Sequence, residues 1–304
     1  MKPGQPARHT APTMQQLDIF ADSRDRVLLN TLADALAQGD RAAAHAASAT
    51  LRSEFPDDRH LGPATLLIDA LDGEALASDS PVADAAAALA ARDPIDTLLH
   101  DAARTVLGRV AAAQWLTIRW LSLARRARAL PFNPACTEAH AAALWLQGRS
   151  WAEAADAVRG IESWRRKPQP LAWMAQATWH LSGPDSAWPL LAELAWLAPQ
   201  RLQPLLALLP DPRLHKLARK FEDAFDTAPD WAWWPAWLLV EQSLLAAPLD
   251  SAQTAAEAAP ERGFKLVLSL LRLERQGRHA DIVAQRRQLQ ALHPALFAIY
   301  MSTR

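Results

Sequence analysis

The strongest constraint on this sequence is its excess of helix-forming residues over β-branched ones. Ala and Leu supply 65 and 47 of the 304 residues, whereas Val and Ile supply only 8 and 7. Ala and Leu favour helices, and strands prefer β-branched residues. The composition therefore predicts an all-α fold with no significant β-sheet, and it excludes the Rossmann, barrel and sandwich classes.

Glycine and proline divide much of the chain into pairs of helical segments. The first predicted helix begins near Ser23 and stops at Gly39, and a second follows from Arg41 to Pro56. The same order of helix, glycine, helix and proline recurs three more times, with glycine-to-proline spacings of 17, 20, 16 and 17 residues. This recurring pattern predicts helical hairpins. Neighbouring hairpins must stack on one another, because one hairpin cannot bury its own apolar face.

Two of these stretches, LAQGDRAAAHAASATLRSEFPDD and LERQGRHADIVAQRRQLQALHP, resemble tetratricopeptide repeats. They share small residues after the glycine and a closing proline, and Gly148 and Gly183 are separated by 35 residues, close to the length of such a repeat. The spacing is uneven, and 39–148 holds no further match. The resemblance implies an irregular array of antiparallel helical hairpins, an α-solenoid; a helical bundle without true repeats is the alternative.

The predicted organisation has three parts. Residues 1–15 are polar and rich in proline, which predicts a disordered tail. Residues 16–22 hold a candidate linear motif, and 23–304 form the helical body, with a sub-boundary near 130–138.

The motif itself is Gln16, Leu17, Asp18, Ile19 and Phe20. This string resembles the short motif with which bacterial polymerases and repair proteins bind the DNA sliding clamp, with Ile19 in place of the usual Leu. The resemblance implies that Gln16 bonds at the rim of the clamp groove while Leu17, Ile19 and Phe20 fill its apolar pocket. Alternatively, the same apolar side chains dock on the first hairpin of their own chain.

Tryptophan and arginine are both unevenly distributed. All 13 tryptophans lie between Trp115 and Trp237, and four of them make a candidate partner-facing patch, Trp231, Trp233, Trp234 and Trp237, although core packing explains most of the others. Residues 102–137 contain six arginines and no acid. Four of these form a candidate basic patch, Arg119, Arg125, Arg126 and Arg128. We interpret it as an ordinary solvated helix face in preference to a surface that binds nucleic acid.

Signals for chemistry are weak. The nine histidines are isolated, Cys136 and His140 make at most two metal ligands, and no phosphate-binding loop or nucleophile elbow is present. We therefore predict no cofactor, no metal and no enzymatic activity. Should the chain be an enzyme, His100, Asp101 and His140 are the weak candidates for a site between hairpins.

The compartment and partners follow from the same observations. A single cysteine fits a reducing cytoplasm, and the longest uncharged run, 168–184, is interrupted by Gln169, Gln176 and His180, which argues against a membrane span. We expect a bacterial adaptor that binds the sliding clamp through Gln16–Phe20 and tethers a second partner in replication or repair. The alternatives are a scaffold or chaperone that binds a protein without a link to DNA, and an unrecognised enzyme.

Overall fold

The computed structural model describes residues 23–77, 80–225, 227–255 and 257–304. Within these ranges the chain forms helices joined by turns and bends, and no strand occurs. The all-α prediction is therefore confirmed, and the succession of contacting helices is compatible with a helical-repeat fold. No helix in the same ranges is long and apolar enough to cross a bilayer.

The chain divides into two compact units, and the first contains 93–116 together with the described part of 1–78. Its helices are α1 (Arg24–Gln38), α2 (Arg41–Glu54), α3 (Leu61–Ala77), the end of α4 (Ala85–Asp96) and the first part of α5 (Leu98–Ala127), which is broken at Gly108. The Arg24 guanidinium donates two 2.9 Å hydrogen bonds to the Glu54 carboxylate and thereby joins α1 to α2.

The second unit contains 117–304 together with the described part of 79–92. After α5 its helices are α6 (Ala141–Gln147), α7 (Trp151–Arg159), α8 (Pro168–Ser182), α9 (Pro184–Leu197), α10 (Pro199–Leu208), α11 (Pro212–Glu222), α12 (Trp234–Glu241), α13 (Ala246–Leu249), α14 (Ala259–Gln276), α15 (His279–Leu292) and α16 (Pro294–Ser302). Short 3-10 helices precede α6, α8, α12 and α13.

The predicted hairpins agree with the structure closely. Helix α1 ends at Gly39, α2 spans Arg41–Glu54, and Gly277 separates α14 from α15. Each of the predicted pairs α1 and α2, α6 and α7, α8 and α9, and α14 and α15 is in contact, and α10 and α11 form a further pair that was not predicted. Between Gly148 and Pro168 the second helix of the hairpin, α7, is short: it ends at Arg159, where Gly160 and a turn interrupt the chain.

Helix α12 lies at the centre of the second unit's core. Every residue of 234–240 is buried, and the helix contacts α9 on one side and α14 on another. The ring centroid of Trp234 lies 6.0 Å from that of Trp188, and that of Trp237 lies 5.2 Å from that of Phe221. Large aromatic rings fill the space that the many alanines leave between helices, so that α12 connects the hairpins to the C-terminal helices.

A buried carboxylate links three distant segments of this unit. Glu193 on α9 is only 6% exposed. Arg165 donates to both of its oxygens at 2.5 and 2.7 Å, and the backbone N–H of Gln253 donates to Oε1 at 2.7 Å. A buried charge is tolerated when it is paired and hydrogen-bonded in this way.

Gly263 on α14 sets how closely that helix can approach the segment before α12. A Cβ at this position would lie 2.4 Å from Cζ3 of Trp233, and the Trp233 ring is backed by His293, with centroids 4.3 Å apart. The ring is therefore confined from two sides, and only glycine leaves room for it.

We predict that Gly263→Ala destabilises the protein by about 1 to 3 kcal/mol, because one added methyl group overpacks this contact. Thermal and urea unfolding followed by circular dichroism would measure the change. Gly73→Ala is the control: Gly73 lies inside α3 with open space around it, so that alanine should stabilise by roughly 0.5 to 1 kcal/mol. Equal stability of Gly263→Ala and the wild type would show that Trp233 is free to move.

Candidate functional site

An open groove of about 1010 Å³ runs across one face of the second unit. It is formed by the first helix of each of three successive hairpins, α6, α8 and α10, together with residues that precede or follow these helices and one residue of α4. Helix α8 contacts both α6 and α10, which places it in the middle. Apart from Trp151 at the start of α7, the second helices of these hairpins contribute no described residue to the lining.

Helical spacing explains which side chains line the groove. On α8 the lining residues are Gln169, Ala172, Trp173, Gln176 and His180, which recur every three or four positions and so share one face. On α10 the lining face is Gln200, Arg201, Pro204, Leu205 and Leu208. The middle of the helix stack therefore presents polar groups to solvent even though most of α8 is buried.

The groove combines an apolar floor with a polar rim. Leu144, Trp173 and Leu205 are buried and form the floor, whereas Leu208 is 61% exposed at one end. The polar side chains are dominated by amides and guanidiniums: Gln147, Gln169, Gln176, Gln200, Arg92, Arg149 and Arg201. Arg201 donates a hydrogen bond to Oε1 of Gln169, which ties α10 to α8 across the groove.

An indole and an imidazole form a flat surface at one wall. The rings of Trp151 and His180 are stacked, with centroids 3.9 Å apart and an interplanar angle of 9°. Burial, and then the positive charge of Arg149, lower the pKa of His180 below its ordinary value. His180 is therefore neutral at pH 7, and the positive field of Arg149 reaches the groove wall.

The turn that presents Arg149 has an unusual conformation. Arg149 lies in the left-handed region with φ of 56°, where glycine is the usual residue at the end of a helix. Its N–H bonds to the carbonyl of Leu146, and the N–H of Ser150 bonds to the carbonyl of Trp145, which completes a Schellman motif after α6. The chain thus holds an arginine, at the edge of the groove, in a conformation that disfavours side chains.

The position of Gly148 at the end of α6 indicates that it is the left-handed residue of the turn, but it has a different structural role. Gly148 has an ordinary φ of −76°, so that it does not supply the left-handed residue of the turn. A Cβ on Gly148 would lie 2.6 Å from Cδ2 of Leu121. Gly148 is needed for the close approach of α5 to the end of α6, and this leaves Arg149 as the left-handed residue.

His140 caps α6 beside the groove. Its Nδ1 accepts a hydrogen bond from the N–H of Ala142 at 3.2 Å, and its ring stacks on Trp173 with centroids 5.6 Å apart. Burial lowers the pKa of His140, which favours the neutral ring that this cap requires. His140 is therefore held in place by its cap and by the ring of Trp173.

The candidate tryptophan patch is corrected by the structure. Trp234 and Trp237 are 0% exposed and pack inside the core, and only Trp231 and Trp233 are partly exposed. Trp231 packs against Phe221, with ring centroids 5.0 Å apart. Trp234 and Trp237 therefore belong to the core and are not presented to a partner, because α12 packs against α9 and α14.

The candidate basic patch is dispersed as well. Arg119 is only 5% exposed, since it shares with Leu123 and Ala127 a buried stripe of α5 with a spacing of four residues. Nε of Arg126 donates to the carbonyl oxygen of Ser80 at 3.0 Å. Arg125 and Arg128 are exposed, so that only two of the four arginines are freely presented to solvent.

The remaining sequence candidates do not line the groove. His100 and Asp101 form an exposed pair, with Nδ1 and Oδ1 3.4 Å apart. Cys136 is a half-buried free thiol. Among the described residues, no group of three His, Cys, Asp or Glu side chains could hold a metal ion. The motif Gln16, Leu17, Asp18, Ile19 and Phe20, and the tail 1–15, lie outside the described residues.

Comparison with known protein families, with curated proteins and with solved structures finds no match for this chain.

We predict that Arg149→Gly stabilises the protein by about 0.5 to 1 kcal/mol. The change relieves the left-handed strain, and the larger entropy of glycine in the unfolded chain offsets part of the gain. Urea unfolding would measure it. Ser163→Gly relieves the same conformation, with φ of 51°, away from the groove and should also stabilise. A loss of stability in Arg149→Gly alone would mean that the arginine side chain makes contacts that outweigh the strain.

We also predict that stability falls as the pH falls below about 6.5, the ordinary pKa of histidine. Folding lowers the pKa of His140 and of His293, which caps α16, so that the unfolded chain binds these protons first. His140→Asn keeps a capping side chain that cannot titrate. Urea unfolding at pH 7 and pH 5 should show a smaller loss of stability in this variant. A loss equal to that of the wild type would contradict the assignment.

Proposed function

We propose that this protein is a non-enzymatic adaptor whose groove binds a segment of another protein. The observation that supports this most directly is the face shared by α6, α8 and α10, where amides and guanidiniums surround an apolar floor. Such a surface offers hydrogen bonds along its length and burial for apolar side chains. The single cysteine of the chain favours a reducing cytoplasm as the place where this binding occurs.

The size and chemistry of the groove favour a peptide over a small molecule. Its volume of about 1010 Å³ is at the upper end of the roughly 300 to 1,000 Å³ of small-ligand sites, and it is open to solvent. Glutamine amides both donate and accept hydrogen bonds, as the backbone of an extended peptide does. Neither amide nor guanidinium side chains change their protonation state near neutral pH, which favours binding over acid–base catalysis.

Filling the groove tests this proposal. Gln176 is half-buried in the middle of α8 and lines the groove, so that Gln176→Trp should obstruct it. We expect random decapeptides displayed on phage to include sequences that bind the wild-type protein and not this variant. Gln288→Trp, an exposed position on α15, is the matched control and should bind as the wild type does. Peptides that bind all three proteins equally, or no enriched peptide, would contradict a binding groove.

A second proposal comes from the sequence motif. Gln16–Phe20 would bind the bacterial sliding clamp, and the helical body would hold another protein of replication or repair beside it. A tethered partner has a high effective concentration at the clamp, so that a weak groove interaction would suffice. This proposal is supported by five residues, whereas the groove is supported by the geometry of three helices.

We predict that the double substitution of Leu17→Ala and Phe20→Ala weakens clamp binding by at least about 100-fold, because buried apolar anchors dominate such interfaces. Surface plasmon resonance of the full chain on immobilised clamp would measure it. Gln176→Trp should bind the clamp as the wild type does. Unchanged clamp binding by the double variant would contradict the motif, and a loss of helicity in that variant would instead favour docking of these side chains on their own chain.

A further inference from the structure

Charge on the groove indicates the chemistry of its occupant. We propose that the groove binds an extended acidic segment of a partner protein. This inference rests on the proposed function, since it names the ligand class of the same site. It differs from a general peptide groove in requiring carboxylates on the ligand.

The lining residues carry an excess of positive charge. Among the described residues that line the groove, Arg92, Arg149 and Arg201 are basic and Glu138 is the only acid; Arg92 already makes an interaction of its own, so that Arg149 and Arg201 carry the argument. Arg149 and Arg201 are both exposed at the rim and come from different hairpins. Arg201 is oriented by Gln169, a neutral side chain, so that this hydrogen bond leaves its charge uncompensated.

Arg149 is presented at an energetic cost, which points to a use for its side chain. The turn after α6 is a Schellman motif in which glycine would be unstrained, yet arginine occupies the left-handed position. The charge of Arg149 also helps to keep the neighbouring His180 neutral. An incoming carboxylate would therefore meet the guanidinium beside a flat indole and imidazole surface.

The amides favour an extended ligand over a helical one. Gln147, Gln169, Gln176 and Gln200 lie on α6, α8 and α10, so that they recur across the groove. A helix satisfies its own backbone N–H and C=O groups, whereas an extended chain leaves them available to such side chains. The guanidiniums at the rim then form ion pairs with the acidic side chains of the peptide. The amides form hydrogen bonds with the peptide backbone whatever its sequence.

Three peptide libraries that differ only in charge test this inference. Each is a fluorescent decapeptide library with six random positions and four fixed ones, which are Glu, Gln or Lys. We expect the immobilised full chain to retain the Glu library about fivefold to tenfold more than the Gln library at low salt, with the Lys library retained least. The preference should shrink in 500 mM salt.

Variants locate the effect. Arg201→Gln and Arg149→Gly should each reduce retention of the Glu library about twofold to fivefold, the range for one exposed charge. Arg213→Gln, on the exposed basic face of α11 outside the groove, should leave retention unchanged. Gln176→Trp should abolish it.

The outcomes separate the two proposals. Equal retention of the Glu and Gln libraries, lost in Gln176→Trp, would overturn the acidic ligand and leave a peptide groove. Retention of no library would contradict the proposed function itself. A response to Arg213→Gln and not to Arg201→Gln would place acid binding on α11 and overturn the inference. Stronger competition by a ten-residue oligothymidylate than by the Glu library would identify nucleic acid as the ligand and overturn it equally.

Discussion

The second unit depends on the burial of residues 234–240 of α12. Trp234 and Trp237 carry no exposed surface; their rings contact Trp188 of α9 and Phe221 of α11, and α12 itself contacts α14. Close packing next to α12 also explains why residue 263 is a glycine. The ring of Trp233 occupies the space that a side chain at position 263 would need. In the same unit, α6, α8 and α10 present the polar side chains that line the groove.

Local patterns predicted the helical framework well. Gly39 and Gly277 end helices, and Pro168, Pro199 and Pro294 begin them, because backbone geometry acts over a few residues, which a sequence displays directly. The function of Gly148 was not predictable in this way. The absence of a side chain at Gly148 makes room for Leu121, which is 27 positions earlier in the chain. Only the folded structure shows that the left-handed residue of this turn is Arg149.

The candidate site was predictable only in part. The run of 168–184 shows Gln169, Gln176 and His180 as polar interruptions of an apolar segment, and these same residues prove to line the groove. The spacing of these three residues predicts one polar face on a helix. It does not predict that α6 and α10 lie beside that face and continue it as a groove. Conversely, the four tryptophans of 231–237 indicated a partner-facing surface. A cluster of tryptophans is equally consistent with a buried core, and the structure shows Trp234 and Trp237 to be buried.

The central claim is that a partner lies along α6, α8 and α10. Photo-cross-linking tests it most directly, with a groove-selected decapeptide that carries a benzophenone at each end and mass spectrometry to map the attachment sites on the full chain. The account predicts cross-links near Gln147 and Trp151 from one end and near Arg201 and Leu208 from the other, because these residues lie along the groove. Cross-links concentrated on α14–α16, or on α11 alone, would contradict it.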